Sequence, residues 1–317
     1  MHPYINLFGK PFSTYGVAAF IGMLAAVLYS FIMHKAYKEK KDFFSRVLFV
    51  LYCAIFGGIG AAFVFQLTVI KGNLEAIRYL FSDFQKCKEL FSFGLVFYGG
   101  MLGMFVGFMV YSQYFKEDTR GWLRTSVAGI PLFHMFGRIG CSIGGCCFGK
   151  VVEFNRANEM NELGIFDHGD LPLFHDFAIY NERIGAYCIP IQLIEAAGIF
   201  VIFLIVLLYT VFQKNKENYY RPIGVYFVLY GLLRSVTEYF RGDLNRGIWG
   251  PYSTSQYISM FVVPFGIYCL VCPTSKNFLE KWYNGELRKK KAEAKKALKE
   301  ASKEASKEDA SEEGTEE

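Results

Sequence analysis

FSTYGVAAFIGMLAAVLYSFIM, residues Phe12–Met33, runs without a single charged side chain. About 20 apolar residues cross the hydrocarbon core of a bilayer as a helix, so this stretch reads as a membrane span and not as a buried strand. It is too long for the apolar region of a secretory leader. It also lacks a basic preceding region and an Ala-x-Ala exit, so a cleaved signal is not expected. The same pattern recurs along the chain. Seven spans are expected: roughly 12–33, 46–70, 92–115, 122–143, 189–213, 222–241 and 254–274. The fold class read from them is an all-α polytopic membrane protein of about seven transmembrane helices. The chain has 317 residues, 53% of them hydrophobic and 18% aromatic, in keeping with that class.

Basic residues between the spans orient the chain. Lys35, Lys38, Lys40 and Lys41 follow the first span, Lys116 and Arg120 the third, and Lys214, Lys216 and Arg221 the fifth. The segment after Ser275 is rich in Lys and Arg. All fall on one side if spans alternate, which puts that side in the cytoplasm, the N-terminus outside and the C-terminus inside. The net charge of +5 therefore serves membrane orientation and is no sign of nucleic-acid binding. The segment 71–91 is either an amphipathic arm along the interface or an ordinary outer loop. The longest insertion, 144–188, is polar and long enough for a small extracytoplasmic cap. The organisation expected is thus 1–143 with four spans, 144–188 as cap, 189–275 with three spans, and a charged cytoplasmic tail over 276–317. That tail begins as a solvated helix and grades into an acidic Ser/Glu end expected to be disordered.

Charges inside the spans are the functional signal. Arg138 lies near the end of the fourth span, followed by the glycine- and cysteine-rich run GRIGCSIGGCCFGK, 137–150. A charge at a span centre costs about 2.5–3.5 kcal/mol on insertion scales and normally has a task. In the sixth span Tyr230, Arg234, Glu238 and Arg241 are spaced by four, four and three, so a continuous helix puts them on one stripe facing the bundle interior or a wet cavity. An internal Arg234–Glu238 pair would explain part of that stripe but not Arg138. Two arginines converging from two helices offer forked donors to a phosphate or carboxylate. His134 precedes Arg138 by one turn and shares its face. Gln192 and Glu195 share a face at the start of the fifth span, where an acid also suits the helix dipole. Gly94, Gly99, Gly100 and Gly103 give the third span a surface that a neighbouring helix or an acyl chain can approach closely. Most of them read as packing residues, with Tyr98 in their midst.

Cys141, Cys146 and Cys147 are spaced C-x4-C-C with no His at ligand spacing, which is not a zinc signature. Their placement allows a disulfide, Cys188 included, or simply small buried residues at a tight crossing. No metal and no cofactor is expected. Cys269 and Cys272 resemble C-x-x-C without a thioredoxin-like context.

Taken in order, TYG (14–16), GLVFYGG (94–100), GRIGC with GGCCFG (137–149), IPIQLIE (189–195), YGLLRSVTEYFRGD (230–243) and STSQYIS (253–259) resemble the blocks of the prolipoprotein diacylglyceryl transferase family. The resemblance covers about residues 12–275. It implies a seven-helix body with a cap and lateral openings to lipid. The reaction it implies moves a diacylglyceryl group from phosphatidylglycerol to the lipobox cysteine of a preprolipoprotein signal peptide, releasing glycerol phosphate, in a bacterial cell membrane.

By the same resemblance Arg138 matches the arginine of the GRxGN signature. Arg234, Glu238 and Tyr230 match the family's sixth-span polar stripe, and Tyr15 matches a first-span tyrosine. The chain departs from the pattern in four places: Cys141 stands for the Asn after GRxG, Gly144, Gly145 and Cys146 for a downstream Asn-Gly-Glu, Ile189 for the histidine of HPSQLYE, and Tyr98 for the histidine of SIHGG. The candidate catalytic residues are Arg138, Arg234, His134 and Tyr98. The candidate substrate-binding residues are Tyr15, Gly99, Gly100, Cys141, Gln192, Glu195, Tyr230, Glu238 and Arg241. With the family histidine absent, His134, Tyr98 and Glu238 remain as bases for the acceptor thiol. A transporter or a catalytically silent lipid-binding relative would use the same arginines, although no internal repeat of transporter type is present.

Overall fold

The computed structural model describes residues 4–7, 10–37, 43–70, 97–115, 118–154, 176–182, 184–214, 217–243, 248–249 and 251–283. The segment 71–91, read as an amphipathic arm or an outer loop, residues 155–175 of the polar insertion and the tail beyond 283 lie outside these residues. Two units are present, Met1–Val271 and Cys272–Glu317.

The first unit is mostly helical. Its helices are α1 (Thr14–Ala36), α2 (Phe43–Ile70), α3 (Phe97–Tyr114), α4 (Arg120–Ser126), α5 (Gly129–Ile143), α6 (Ile191–Phe212), α7 (Arg221–Glu238) and α8 (Thr254–Val271). The second unit has a short helix, α9 (Phe278–Tyr283). Where described, most of each expected span is helical. Among the described residues, four helical stretches are long and apolar enough to cross a membrane: Thr14–Ala36, Phe43–Ala61, Ile191–Phe212 and Thr254–Val271. In lipid a helix satisfies its own backbone groups, which is why continuous apolar runs settle as helices. Their outer faces carry large exposed apolar side chains, among them Phe20, Leu24, Leu28, Phe200, Val201, Leu208 and Phe261. Water would penalise that surface, whereas lipid tails accept it.

Two expectations need correction. The fold is not all-α. Short strands pair as β1 (Tyr4–Leu7) with β2 (Lys10–Ser13), as β3 (Val151–Phe154), β4 (Ile179–Asn181) and β5 (Ala186–Cys188) in the order β3–β5–β4, and as β6 (Ile248–Trp249) with β7 (Tyr252–Ser253). The three-stranded sheet lies within 144–188 and has its own small core of Phe148, Val151, Ile184, Ala186 and Cys188. The fourth span is also two helices, not one. Pro131 has no N–H for the Val127 carbonyl, and Ile130 N donates to that carbonyl instead at 3.0 Å. This tightens the chain between α4 and α5.

Helices pack in two groups: α2 against α3, and a series in which α1 meets α5, α5 meets α6, α6 meets α7 and α7 meets α8. Glycine allows the closest of these approaches. A Cβ on Gly60 of α2 would lie 2.4 Å from the Gly99 carbonyl oxygen, and one on Gly103 of α3 would lie 2.1 Å from that of Phe56. Backbone atoms cannot step aside as a flexible side chain can. Gly103→Ala is therefore expected to destabilise the protein by about 1–3 kcal/mol through overpacking, read as a lower unfolding temperature in detergent. Gly58→Ala, where a Cβ meets nothing within 4 Å, is the matched control and is expected to leave it unchanged.

Arg46 is fully buried near the start of α2. Its Nε donates to Ser30 Oγ at 2.8 Å, and its Nη2 donates to Thr125 Oγ1 at 2.8 Å and Ser126 Oγ at 3.3 Å. The guanidinium thereby ties α1, α2 and α4 together.

Candidate active site

The polar centre forms where α5, α6 and α7 meet. Glu195, one turn into α6, is buried with both carboxylate oxygens engaged. Arg138 Nη2 from α5 lies 3.0 Å from Oε1, and Arg234 Nη1 from α7 donates to Oε2 at 3.1 Å. Tyr230 donates its hydroxyl to Oε1 at 3.4 Å. Arg234 Nη2 also meets Glu238 Oε2 at 2.8 Å and donates to Ser255 Oγ of α8 at 3.1 Å. Two guanidiniums and two carboxylates thus balance in a space where an unpaired charge would be costly. Arg138 Nε is buried and has no hydrogen-bond partner among the described residues. Buried donors of that kind are rare and mark a place for an acceptor.

The arginines expected to converge do converge. They meet on Glu195, which the sequence reading had placed on the same face as Gln192 without assigning it this bridging position. His134 sits one turn before Arg138 and is buried. Its ring meets Tyr230 edge-on at 4.7 Å, and its Nδ1 lies 3.5 Å from the Tyr226 hydroxyl. Tyr226 in turn stacks on Tyr230, centroids 5.8 Å apart. Tyr226 was not among the expected residues, nor was Ser255. Extending the sixth-span stripe backward by four would have found Tyr226, since 226, 230, 234 and 238 are evenly spaced.

Arg241 leaves the stripe. Helix α7 ends at Glu238, and the chain then turns, with Arg241 N donating to Glu238 O. The Arg241 side chain pairs with Asp243, Nε donating to Oδ1 at 2.8 Å and Nη2 meeting Oδ2. Its backbone bridges Gly149 beside the small sheet. The even helical spacing assumed for it stops one turn earlier.

Tyr15 of α1 lies across the glycines flanking Arg138. Its ring is 3.4 Å from where a Cβ on Gly140 would sit, and its hydroxyl is 3.9 Å from that of Gly137. Gly99 and Gly100 face α2, where Gly60 and Gly57 approach them, so both serve the α2–α3 contact. Tyr98 is on α3, but its side chain lies outside the described residues. Gln192 Nε2 donates to the Cys146 carbonyl at 2.8 Å, tying α6 to the turn that follows α5.

That turn brings Cys141, Cys146 and Cys147 together, their Sγ atoms all within 4.8 Å of one another. The described cysteines are free thiols, so the disulfide that their placement allowed is not formed among them. Hydrogen bonds from the Cys141 and Cys146 thiols hold the Cys147 thiol well below the usual range, with Arg241 and Arg138 acting the same way against the cost of burial. Burial alone pushes Cys188 up to about 12.

Comparison with known proteins places the chain in a family. Residues 3–272 match the family model described as prolipoprotein diacylglyceryl transferase. The chain is 27% identical over 264 residues to the phosphatidylglycerol–prolipoprotein diacylglyceryl transferase of Clostridium tetani (strain Massachusetts / E88), covering 83% of this chain and 94% of that one. It is 29% identical over 265 residues to the second such transferase of Clostridium perfringens (strain 13 / Type A), covering 83% and 91%. It is 24% identical over 288 residues to the Campylobacter hominis protein of the same name, covering 88% and 93%. With the family model spanning nearly the whole helical body and the paired arginines meeting inside it, the chain belongs to the prolipoprotein diacylglyceryl transferase family.

Proposed function

We propose that this chain transfers a diacylglyceryl group from phosphatidylglycerol to the lipobox cysteine of preprolipoproteins, in a bacterial cell membrane. The observation that carries the reading is the pair Arg138 and Arg234, brought from two helices onto one carboxylate, with Arg138 Nε finding no acceptor among the described residues. A headgroup phosphate is the same kind of bidentate anion as Glu195 and competes for the same donors. In this reading the chain crosses the membrane seven times, with its N-terminus outside, its C-terminus in the cytoplasm and 144–188 as an outer cap.

The chemistry follows from charge. The acceptor sulfur loses its proton and attacks the glyceryl carbon. A C–S bond forms, the C–O bond to phosphate breaks, and glycerol phosphate leaves as an anion. Positive charge fixed where that anion develops lowers the barrier, which is the part given to Arg138 and Arg234. Tyr15, Gln192, Tyr230 and Glu238 shape the site around them. The thiol proton needs an acceptor, and His134 is assigned first, ahead of Tyr98 and Glu238, because it lies one turn from Arg138 on the same helix and its ring stands beside Tyr226 and Tyr230. His134→Asn is expected to flatten the acidic limb of the pH–rate profile. An unchanged profile removes His134 as the base.

The decisive experiment expresses the chain in a host lacking its own transferase and supplies a lipobox peptide. Mass spectrometry is expected to find a thioether-linked diacylglyceryl peptide. Lipid binding without that product would favour a silent relative, a reading suggested by Glu195 already occupying both guanidiniums. Movement of lipid between leaflets without a covalent product would favour a transporter.

A further inference from the structure

The cysteines have a structure that linear spacing concealed. Helix α5 closes in a double backbone turn: Cys146 N donates to Cys141 O at 3.1 Å and Gly145 N donates to Ser142 O at 3.2 Å. Gly145 has φ 69°, the left-handed conformation such an ending requires. This ending sets the residue after the glycine back over the last turn of the helix, and here both residues of that contact are cysteines, Cys146 over Cys141. The next residue, Cys147, is the only non-glycine with positive φ among the described residues, at 56°. That conformation is sparsely populated for a side-chain-bearing residue, and the surrounding turn has to hold it there. Its result is a third sulfur beside the first two.

We infer that Cys141, Cys146 and Cys147 form a three-thiolate site for a soft d10 cation, Zn²⁺ or Cu⁺, at the end of α5. A metal–sulfur bond of about 2.3 Å places thiolates about 3.8–4.0 Å apart in tetrahedral or trigonal geometry. The three Sγ atoms already lie within 4.8 Å of one another, so closure on a cation needs rotamer adjustment and no refolding. Thiolate sets favour Zn²⁺ and Cu⁺ over harder cations. Gln192, whose Nε2 holds the Cys146 carbonyl, fixes the turn to α6, so a bound cation would brace α5 against α6.

The test uses the full chain, purified in detergent under reducing conditions and analysed for metal by mass spectrometry. One equivalent of zinc or copper per chain is expected, and competition with a zinc or a cuprous indicator distinguishes the two. Titration of the metal-free protein with Cd²⁺ is expected to give a sulfur-to-metal charge-transfer band saturating at one equivalent. The double variant Cys146→Ser/Cys147→Ser is expected to lose that band, while Cys188→Ser retains it. A second readout needs no variant: the bound metal protects Cys146 and Cys147 from iodoacetamide, and a chelator abolishes the protection. Absence of metal together with absence of the Cd²⁺ band overturns the site. So does a band that survives the double variant, or peptide mapping that finds two of the three cysteines joined as a disulfide in protein purified without reductant.

Discussion

Glu195→Ala is expected to lower stability by about 3–5 kcal/mol, the usual result of leaving a buried charge without its partner. The carboxylate is buried and serves Arg138 and Arg234 at once. Arg234 keeps Glu238 and Ser255 when Glu195 is removed. Arg138 loses its ion-pair partner, so the damage concentrates there. Glu195→Gln is expected to fall between alanine and wild type, because an amide still accepts hydrogen bonds but neutralises nothing. Chemical or thermal unfolding in detergent measures both. In a double-mutant cycle, Arg138→Ala combined with Glu195→Ala is expected to cost less than the two singles added, since each single strands a charge that the pair removes. Strict additivity would mean that the two side chains do not share an energetic contact.

Arg138→Ala and Arg234→Ala are each expected to reduce diacylglyceryl transfer by about 10²–10³-fold, the usual loss when one donor that meets developing charge is removed. Lysine at either position is expected to recover only part of the rate, because a single ammonium cannot reproduce the forked donation that holds one carboxylate oxygen while reaching a neighbouring acceptor. The assay is turnover of a lipobox peptide in membranes supplied with phosphatidylglycerol. Wild-type turnover in both alanine variants would mean that neither guanidinium faces the leaving phosphate. A loss in Arg234→Ala alone would shift the anion site toward Ser255 and α8.

The helical body was legible because lipid exposure and helix packing both demand long apolar runs, and such runs have one stable backbone in a membrane. The convergence of Arg138 with Arg234 was legible for a related reason, since a charge amid those runs needs company. Other features were harder to read. Helical spacing tells which residues share a face, but not which helix that face meets, so Glu195 could be placed beside Gln192 without being seen as the bridge. Arg241 was misplaced because nothing in RGD announces that α7 stops at Glu238. The interruption between α4 and α5 did have a signal, Pro131, that a count of apolar residues overlooks. The buried role of Arg46 leaves no mark in the sequence because its partners, Ser30, Thr125 and Ser126, are ordinary hydroxyl residues scattered over two other helices. The cysteine cluster was hidden by a motif search that asks for regular ligand spacing, while a helix ending brings distant positions together.

The backbone around Gly149 carries a last consequence. Gly149 N donates to Ile189 O and Ile189 N to Lys150 O, at 3.1 and 3.0 Å, while Lys150 N donates to Phe240 O and Gly242 N to Phe148 O, at 2.8 and 3.1 Å. One short segment is thereby sewn to the chain entering α6 on one side and to the chain leaving α7 on the other. The two helices that carry Glu195 and Arg234 are fastened at this end, so a two-tailed guest cannot pry them apart there. Gly149 and Gly242 make the seam possible: a Cβ at either would lie within 2.5 Å of a carbonyl oxygen, so even alanine there is expected to loosen this stitching and lower the unfolding temperature in detergent without touching a single charged group.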